Sequence, residues 1–191
     1  MKHKILIYPA MHKEKANRIK NLLEDQYDIE ILEDNKLNQR IGFLFGLEDF
    51  DATTQETLPS FTFDMMILPV MEQAQIQELS KLLKANAMDI ERKAMLTQHN
   101  KHWKLCDLLV EVDEEHTYFQ TRAKLNNLLF QATKIKPEDI LENLTSSFQK
   151  AVLDAYDTLQ NQDSTTAMFE NAYTSLYPLY HKIQESITRK D

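Results

Sequence analysis

Thr97, His99, Asn100, His102 and Trp103 crowd into one stretch, TQHNKHW, directly after an apolar run that ends at Leu96. A hydroxyl, two imidazoles, an amide and an indole can together bind and orient a polar ligand. Ligands favour the loops at the carboxyl ends of strands in open α/β sheets. His116 follows, beside Glu115 and Glu111. A histidine paired with a carboxylate is a tunable acid–base group near neutral pH. The five residues Thr97, His99, Asn100, Trp103 and His116 are therefore the candidate ligand-binding set. A structural reading competes for each. Asn is among the best helix N-caps, so Asn100 is expected to accept the free amide of His102 or Trp103, and the Thr97 hydroxyl to tie the turn. Trp103 is expected on the first helical turn as a core plug with its indole N–H satisfied. His116 shares a helical face with Leu109 and Val112, so both it and Trp103 are expected to be largely buried.

Several other chemistries are disfavoured. His99, His102 and His116 form no H-x-x-x-H pair, and Cys106 is the single cysteine, so neither a metal site nor an internal disulfide is expected. Cys106 has no base beside it in sequence to make it a nucleophile. The two glycines, Gly42 and Gly46, fit neither phosphate-binding glycine pattern, and no cofactor is expected. A formal net charge of −8 argues against nucleic acid and against anionic lipid. The opening MKHKILIYPAMHKEK has too short an apolar run for a secretory signal, and no window reads as a membrane span. The expected setting is the cytoplasm.

The elements that must position these residues come in a faint repeat. ILIYPAM (5–11) resembles MMILPVM (65–71) at a spacing of 60 residues, drifting to about 65 later in the repeat. Each run reads as a buried strand. Each is followed by a helical face, Ile19, Leu22 and Leu23 in the first and Ile76, Leu79, Leu82 and Leu83 in the second. DIEIL (28–32) and RKAML (92–96) supply second strands, and Ile41–Leu47 and Leu105–Val112 second helices. Such alternation implies parallel pairing through right-handed crossovers. Residues 48–63, acidic, Thr-rich and without period, read as an exposed connection. A long helix is expected from about 101 through Phe130.

A third region follows. Pro137 suits the first turn of a helix whose stripe runs from Ile140 to Leu159. Asp163 or Ser164 is expected to cap the next helix, with a stripe from Phe169 to Ile187 that Pro178 should kink or split. The two stripes need a covering surface, either the helix bearing Leu125, Leu128 and Leu129 or a twin. Residues 137–191 hold nine Asp/Glu against four Lys/Arg.

Lys93, Ala94, Leu96, Thr97, Asn100 and Trp103, then Leu108, Leu109, Glu111, Glu115 and His116, follow a spacing that resembles the signature of DUF3783, a bacterial family of unknown function. The rest of 1–116 fits more loosely, and 137–191 looks like an addition. The resemblance implies a small α/β fold and carries no activity or ligand. The expected fold is thus α/β: two strand–helix–strand–helix units forming a small, mainly parallel four-stranded sheet in 1–116. A helical extension over 117–136 and an acidic helical hairpin over 137–191 follow. The expected function is a non-enzymatic protein-binding or regulatory module, with a protein partner or a homodimer engaged through the C-terminal helices. The alternative is a small-molecule-binding protein or enzyme using the loops around Tyr8–His12, Met71 and Thr97–Asn100.

Overall fold

A computed structural model describes residues 2–10, 12–54, 56, 58 and 60–188. Met11, in the ILIYPAM run and in the Tyr8–His12 loop, lies outside the described residues. The chain divides into two compact units, Met1–Glu114 and Glu115–Asp191.

The first unit is α/β. Its elements are β1 (His3–Tyr8), α1 (Lys13–Leu23), β2 (Tyr27–Ile31), the single turn α2 (Ile41–Leu44), β3 (Met65–Leu68), α3 (Gln73–Ala85), β4 (Arg92–Met95) and the start of α4 (Leu105–Ala132). The sheet order is β2-β1-β3-β4. β1 pairs parallel with β2, and β3 parallel with β4, while β1 and β3 meet antiparallel in the centre. Side chains alternate across the pleat. Ile5, Ile7, Met66 and Leu68 face Ala16, Ile19, Leu79 and Leu83 of α1 and α3. Leu6, Tyr8, Met65 and Ile67 face Ile41, Leu44, Leu105 and Leu109 of α2 and α4. Near-continuous apolar strands are what a sheet covered on both faces requires.

The two halves share one element order: strand, helix, strand, 3-10 turn, helix. Their contacts are reciprocal. The Ile41 amide donates to Trp103 O and the Leu105 amide to Gln39 O, each at 2.9 Å, around a bridge between Arg40 and Lys104. The strands correct the expected spacing. Leu32 N donates to Ile7 O, as Leu96 N does to Leu68 O, so Ile7 corresponds to Leu68 at a spacing of 61 (7 to 68) rather than 60. A spacing of 60 would match Ile7 with Ile67, which points to the opposite face. One residue of slip reverses every side chain of a strand.

The connection over 48–63 is exposed at most of its described residues, as expected, and it is also tied to the sheet unit. The Gln39 amide donates to Thr53 O and accepts from Thr53 N, and Asn38 donates to Thr54 O. Leu58, Phe61 and Phe63 pack on the α2/α4 side of the sheet. These apolar residues have neither helical nor strand period, because a strap on a core follows the surface beneath it.

The second unit holds the end of α4, α5 (Thr145–Gln160) and α6 (Thr166–Thr188). Leu125, Leu128 and Leu129 pack with Phe148, Ala151, Ala155, Phe169 and Leu176, so the stripes are covered by α4. Three local expectations are corrected. α4 begins at Leu105, and residues 100–102 form a separate 3-10 turn. Pro137 opens a 3-10 turn and α5 starts only at Thr145, since Ile140 and Leu141 are extended. Neither Asp163 nor Ser164 caps α6. Thr165 Oγ1 accepts the Met168 amide, while the Ser164 hydroxyl turns back to Thr158 O. Of the kink or split expected at Pro178, the split does not occur, and α6 is continuous through it. Among the described residues, no helix is long and apolar enough to cross a membrane.

Candidate functional site

β4 ends in a turn that closes on itself. Asn100 Oδ1 accepts the Thr97 amide at 2.8 Å, and Asn100 Nδ2 donates to Met95 O at 2.9 Å. The Thr97 hydroxyl accepts the Asn100 amide at 3.0 Å. Asn100 is buried, with every polar group of its side chain spent on its own turn. It is therefore not an N-cap for His102 or Trp103. The expected cap fails because a 3-10 turn intervenes before α4, so the side chain meets amides behind it instead of ahead. Thr97 does tie the turn, as expected.

Trp103 ends that 3-10 turn in extended conformation, two residues before α4, instead of sitting on its first turn. It is half-buried, and the exposed His99 ring meets it edge-on at 5.2 Å. The His102 ring meets Phe50 at 5.1 Å, tilted by 39°. His116 is half-buried on α4 in the second unit. Trp103 and His116 are each partly buried beside the apolar stripe that buries Leu105, Leu108 and Leu109. Thr97, His99, Asn100 and Trp103 thus come together as one hydrogen-bonded, ring-packed turn, and His116 belongs to the other unit. Met71 is half-buried and packs on the α1/α3 side of the sheet.

The corresponding edge of the first half is open. A cleft of about 290 Å³ lies at the carboxyl ends of β1 and β2, lined by Tyr8, Ala10, Lys13, Asp34 and Asn35 among others. The Tyr8 hydroxyl donates to Asp34 at 2.6 Å and accepts the Phe61 amide. The Ser60 hydroxyl donates to the other Asp34 oxygen at 2.7 Å. Burial, then the Asp34 bond, pushes the Tyr8 phenol up to about 12. The hydrogen bonds from Tyr8 and Ser60 hold the Asp34 carboxyl below its ordinary range. Tyr8 therefore stays a neutral donor, and Asp34 an ionised acceptor with one hydrogen bond on each oxygen. His12, from the same loop, meets Asp64 at 3.0 Å. Cys106 is half-buried, and burial together with Asp107 pushes its thiol up, away from nucleophilic character. Among the described residues, no group of three His, Cys, Asp or Glu could hold a metal ion.

The second unit presents a different kind of surface. Three adjoining hollows of about 340, 390 and 430 Å³ run between α4 and α5. Tyr156, Leu129 and Thr133 line two of them, and Asn126, Leu159 and Gln160 link the third. Phe119 (54% exposed), Phe130 (58%), Leu153 (58%) and Tyr156 (52%) rim this groove. The sequence carries the signal. Phe119, Ala123, Asn126 and Phe130 recur at helical spacing outside the buried stripe of α4, and Leu153 and Tyr156 widen that of α5.

Residues 64–119 match the model of a domain of unknown function, DUF3783. The match runs from the start of β3 through β4 into α4, which is the second strand–helix–strand unit and the turn after it. It contains the motif of 92–116 on which the resemblance rests. Residues 1–63, expected to fit loosely, lie outside the matched stretch. No curated protein and no solved structure matches the chain.

Proposed function

We propose that the chain is a non-enzymatic binding module that engages a protein partner through the α4/α5 groove of its helical unit. The observation that carries this reading is the clustering of exposed large side chains: Phe119, Phe130, Leu153 and Tyr156 rim one continuous groove. Contiguous apolar surface is costly to leave in water, and exposed aromatic residues are the usual anchors of protein interfaces. The polar turn at Thr97–Asn100 supports the same reading from the other direction. Its Thr97 and Asn100 side chains are bonded to backbone groups of their own turn.

The experiment is photo-cross-linking in living cells from a reactive amino acid placed at Leu153, with exposed Lys182 on α6 as control. A discrete adduct from Leu153 alone is the expected result. Absence of any adduct from Leu153 counts against the reading.

A second reading, a small polar ligand, is favoured only by the cleft at Tyr8, Lys13 and Asp34, at the sheet edge where α/β proteins hold ligands. A ligand whose thermal stabilisation is lost in Lys13→Ala would support it.

We also propose that the halves of the first unit descend from one strand–helix–strand ancestor. Their shared element order and the reciprocal bonds at Ile41 and Leu105 support this.

A further inference from the structure

We infer that the cleft at the carboxyl ends of β1 and β2 takes a small zwitterion of the amino-acid class, its carboxylate toward Lys13 and its ammonium toward Glu33; this rests on the second reading above, the small polar ligand. The place is set by how the chain leaves the sheet. After β1 it passes to α1, whose Ala16 and Ile19 pack on one face. After β2 it passes to α2, whose Ile41 and Leu44 pack on the other. Connections that part to opposite faces open a crevice between neighbouring strand ends, and α/β sheets hold their ligands there. The cleft lies at that crevice.

The lining holds engaged and unengaged polar groups. Tyr8 and Ser60 each give a hydrogen bond to Asp34. Among the described residues, the side chains of Lys13, Glu33 and Asn35 make no hydrogen bond or ion pair, yet all three line the cleft. Lys13 acts on Asp34 only through space. Glu33 precedes a 3-10 turn without capping it. The cleft thus offers a cation, an anion and an amide that the fold does not use. Their charges select the ligand. Lys13 stands against Glu33 and an ionised Asp34, one positive charge against two negative. A plain anion such as phosphate meets two carboxylates, and a plain cation meets Lys13. A molecule with one charge of each sign finds a counter-charge for both. The Asn35 amide can donate to its carboxylate or accept from its ammonium. The volume of about 290 Å³ falls just under the roughly 300–1,000 Å³ of pockets for drug-sized molecules, which suits a monomer. Pro9 and Leu32 offer apolar contact to a short side chain.

The test is an amide-resolved nuclear magnetic resonance titration of the full chain with the free proteinogenic amino acids, one by one, at millimolar concentration. At least one is expected to shift the amides of Ala10, Lys13 and Asn35 saturably. Its N-acetyl derivative and its carboxamide each lack one charge, and both are expected to bind at least about tenfold more weakly. Lys13→Ala and Glu33→Gln, both at exposed positions, are expected to weaken binding by about the same factor, with circular dichroism melts checking the fold. Should a variant fail to fold, the two derivatives on the wild type decide the matter without mutation. Shifts with no amino acid, shifts only elsewhere in the chain, equal binding of either derivative, or binding unaltered in both folded variants overturns the inference. Glucose and inorganic phosphate are titrated alongside. If either binds at these amides and loses binding in Lys13→Ala while no amino acid binds, the zwitterion is removed and the polar-ligand reading stands. If none of these probes binds there, both fall.

Discussion

The turns after β2 and β4 occupy the same place in the two halves, 64 residues apart as judged from Ile41 and Leu105, and they end differently. After β4, Asn100 folds back on Thr97 and Met95, residues of its own turn. After β2, Asp34 reaches outward to Tyr8 on β1 and to Ser60 in the strap. The first arrangement is local, and the second has a cleft beside it. The helix starts that follow differ as well. Cys106 keeps a side chain at the position where Gly42 has none, because the Phe50 ring of the strap lies on Gly42. The difference teaches that one backbone plan accepts either local or long-range closure, and that the long-range kind has a cleft beside it.

The largest expected effect breaks the local closure. Asn100→Ala leaves the Thr97 amide and the Met95 carbonyl without their partner, and should cost about 2–3 kcal/mol in chemical denaturation. Asn100→Asp keeps the acceptor and loses the donor, so its loss should fall between wild type and alanine. A stability unchanged in both variants would remove the turn from the account of the edge.

Next comes the packing difference. A Cβ at residue 42 would stand 2.7 Å from three atoms of the Phe50 ring. Gly42→Ala should destabilise by about 1–3 kcal/mol. Adding Phe50→Ala should return part of that loss, since the ring is what the methyl meets. A double variant worse than the sum of the singles would show that the strap does not press on Gly42.

The smallest effect concerns the long-range closure. Tyr8→Phe removes one hydrogen bond to Asp34 and should cost about 1 kcal/mol at neutral pH. Its pH dependence has a definite sign. The folded phenol titrates at about 12 against an ordinary value of 10.0, so the folded chain holds a proton that the unfolded chain releases between these limits. The Tyr8 contribution is whole below pH 10 and is lost as the pH climbs to about 12. Asp34 acts at the other end, because its folded value is lowered. Its contribution is present above the ordinary carboxylate range and is lost as the pH falls through that lowered value. Ultraviolet titration of the seven tyrosines should show one late phase near pH 12, absent from Tyr8→Phe.

Much of the architecture was legible in the residues. Apolar runs of strand length, each followed by a helical face, announce an α/β sheet with parallel pairs. The stripes at Leu125–Leu129, Phe148–Leu159 and Phe169–Ile183 announce helices that pack together. These signals are local and periodic, so they survive in a one-dimensional record. Thr97 and Asn100 were legible as a turn for the same reason, since their bonds span at most five residues.

The rest depended on contacts between residues far apart in the chain. The direction of the central β1–β3 pair is antiparallel because the strap over 48–63 returns the chain to the edge of β1, and nothing periodic in that strap says so. The spacing of 61 instead of 60 is set by which face of β3 meets α3. The Tyr8–Asp34–Ser60 cluster joins three segments that look unremarkable singly. Composition and periodicity determined which side chains must leave water and in what kind of element. Only the folded chain decided which buried surfaces meet and which polar groups close on one another. Pairing energies depend on spatial neighbours, and adjacency in sequence does not record them.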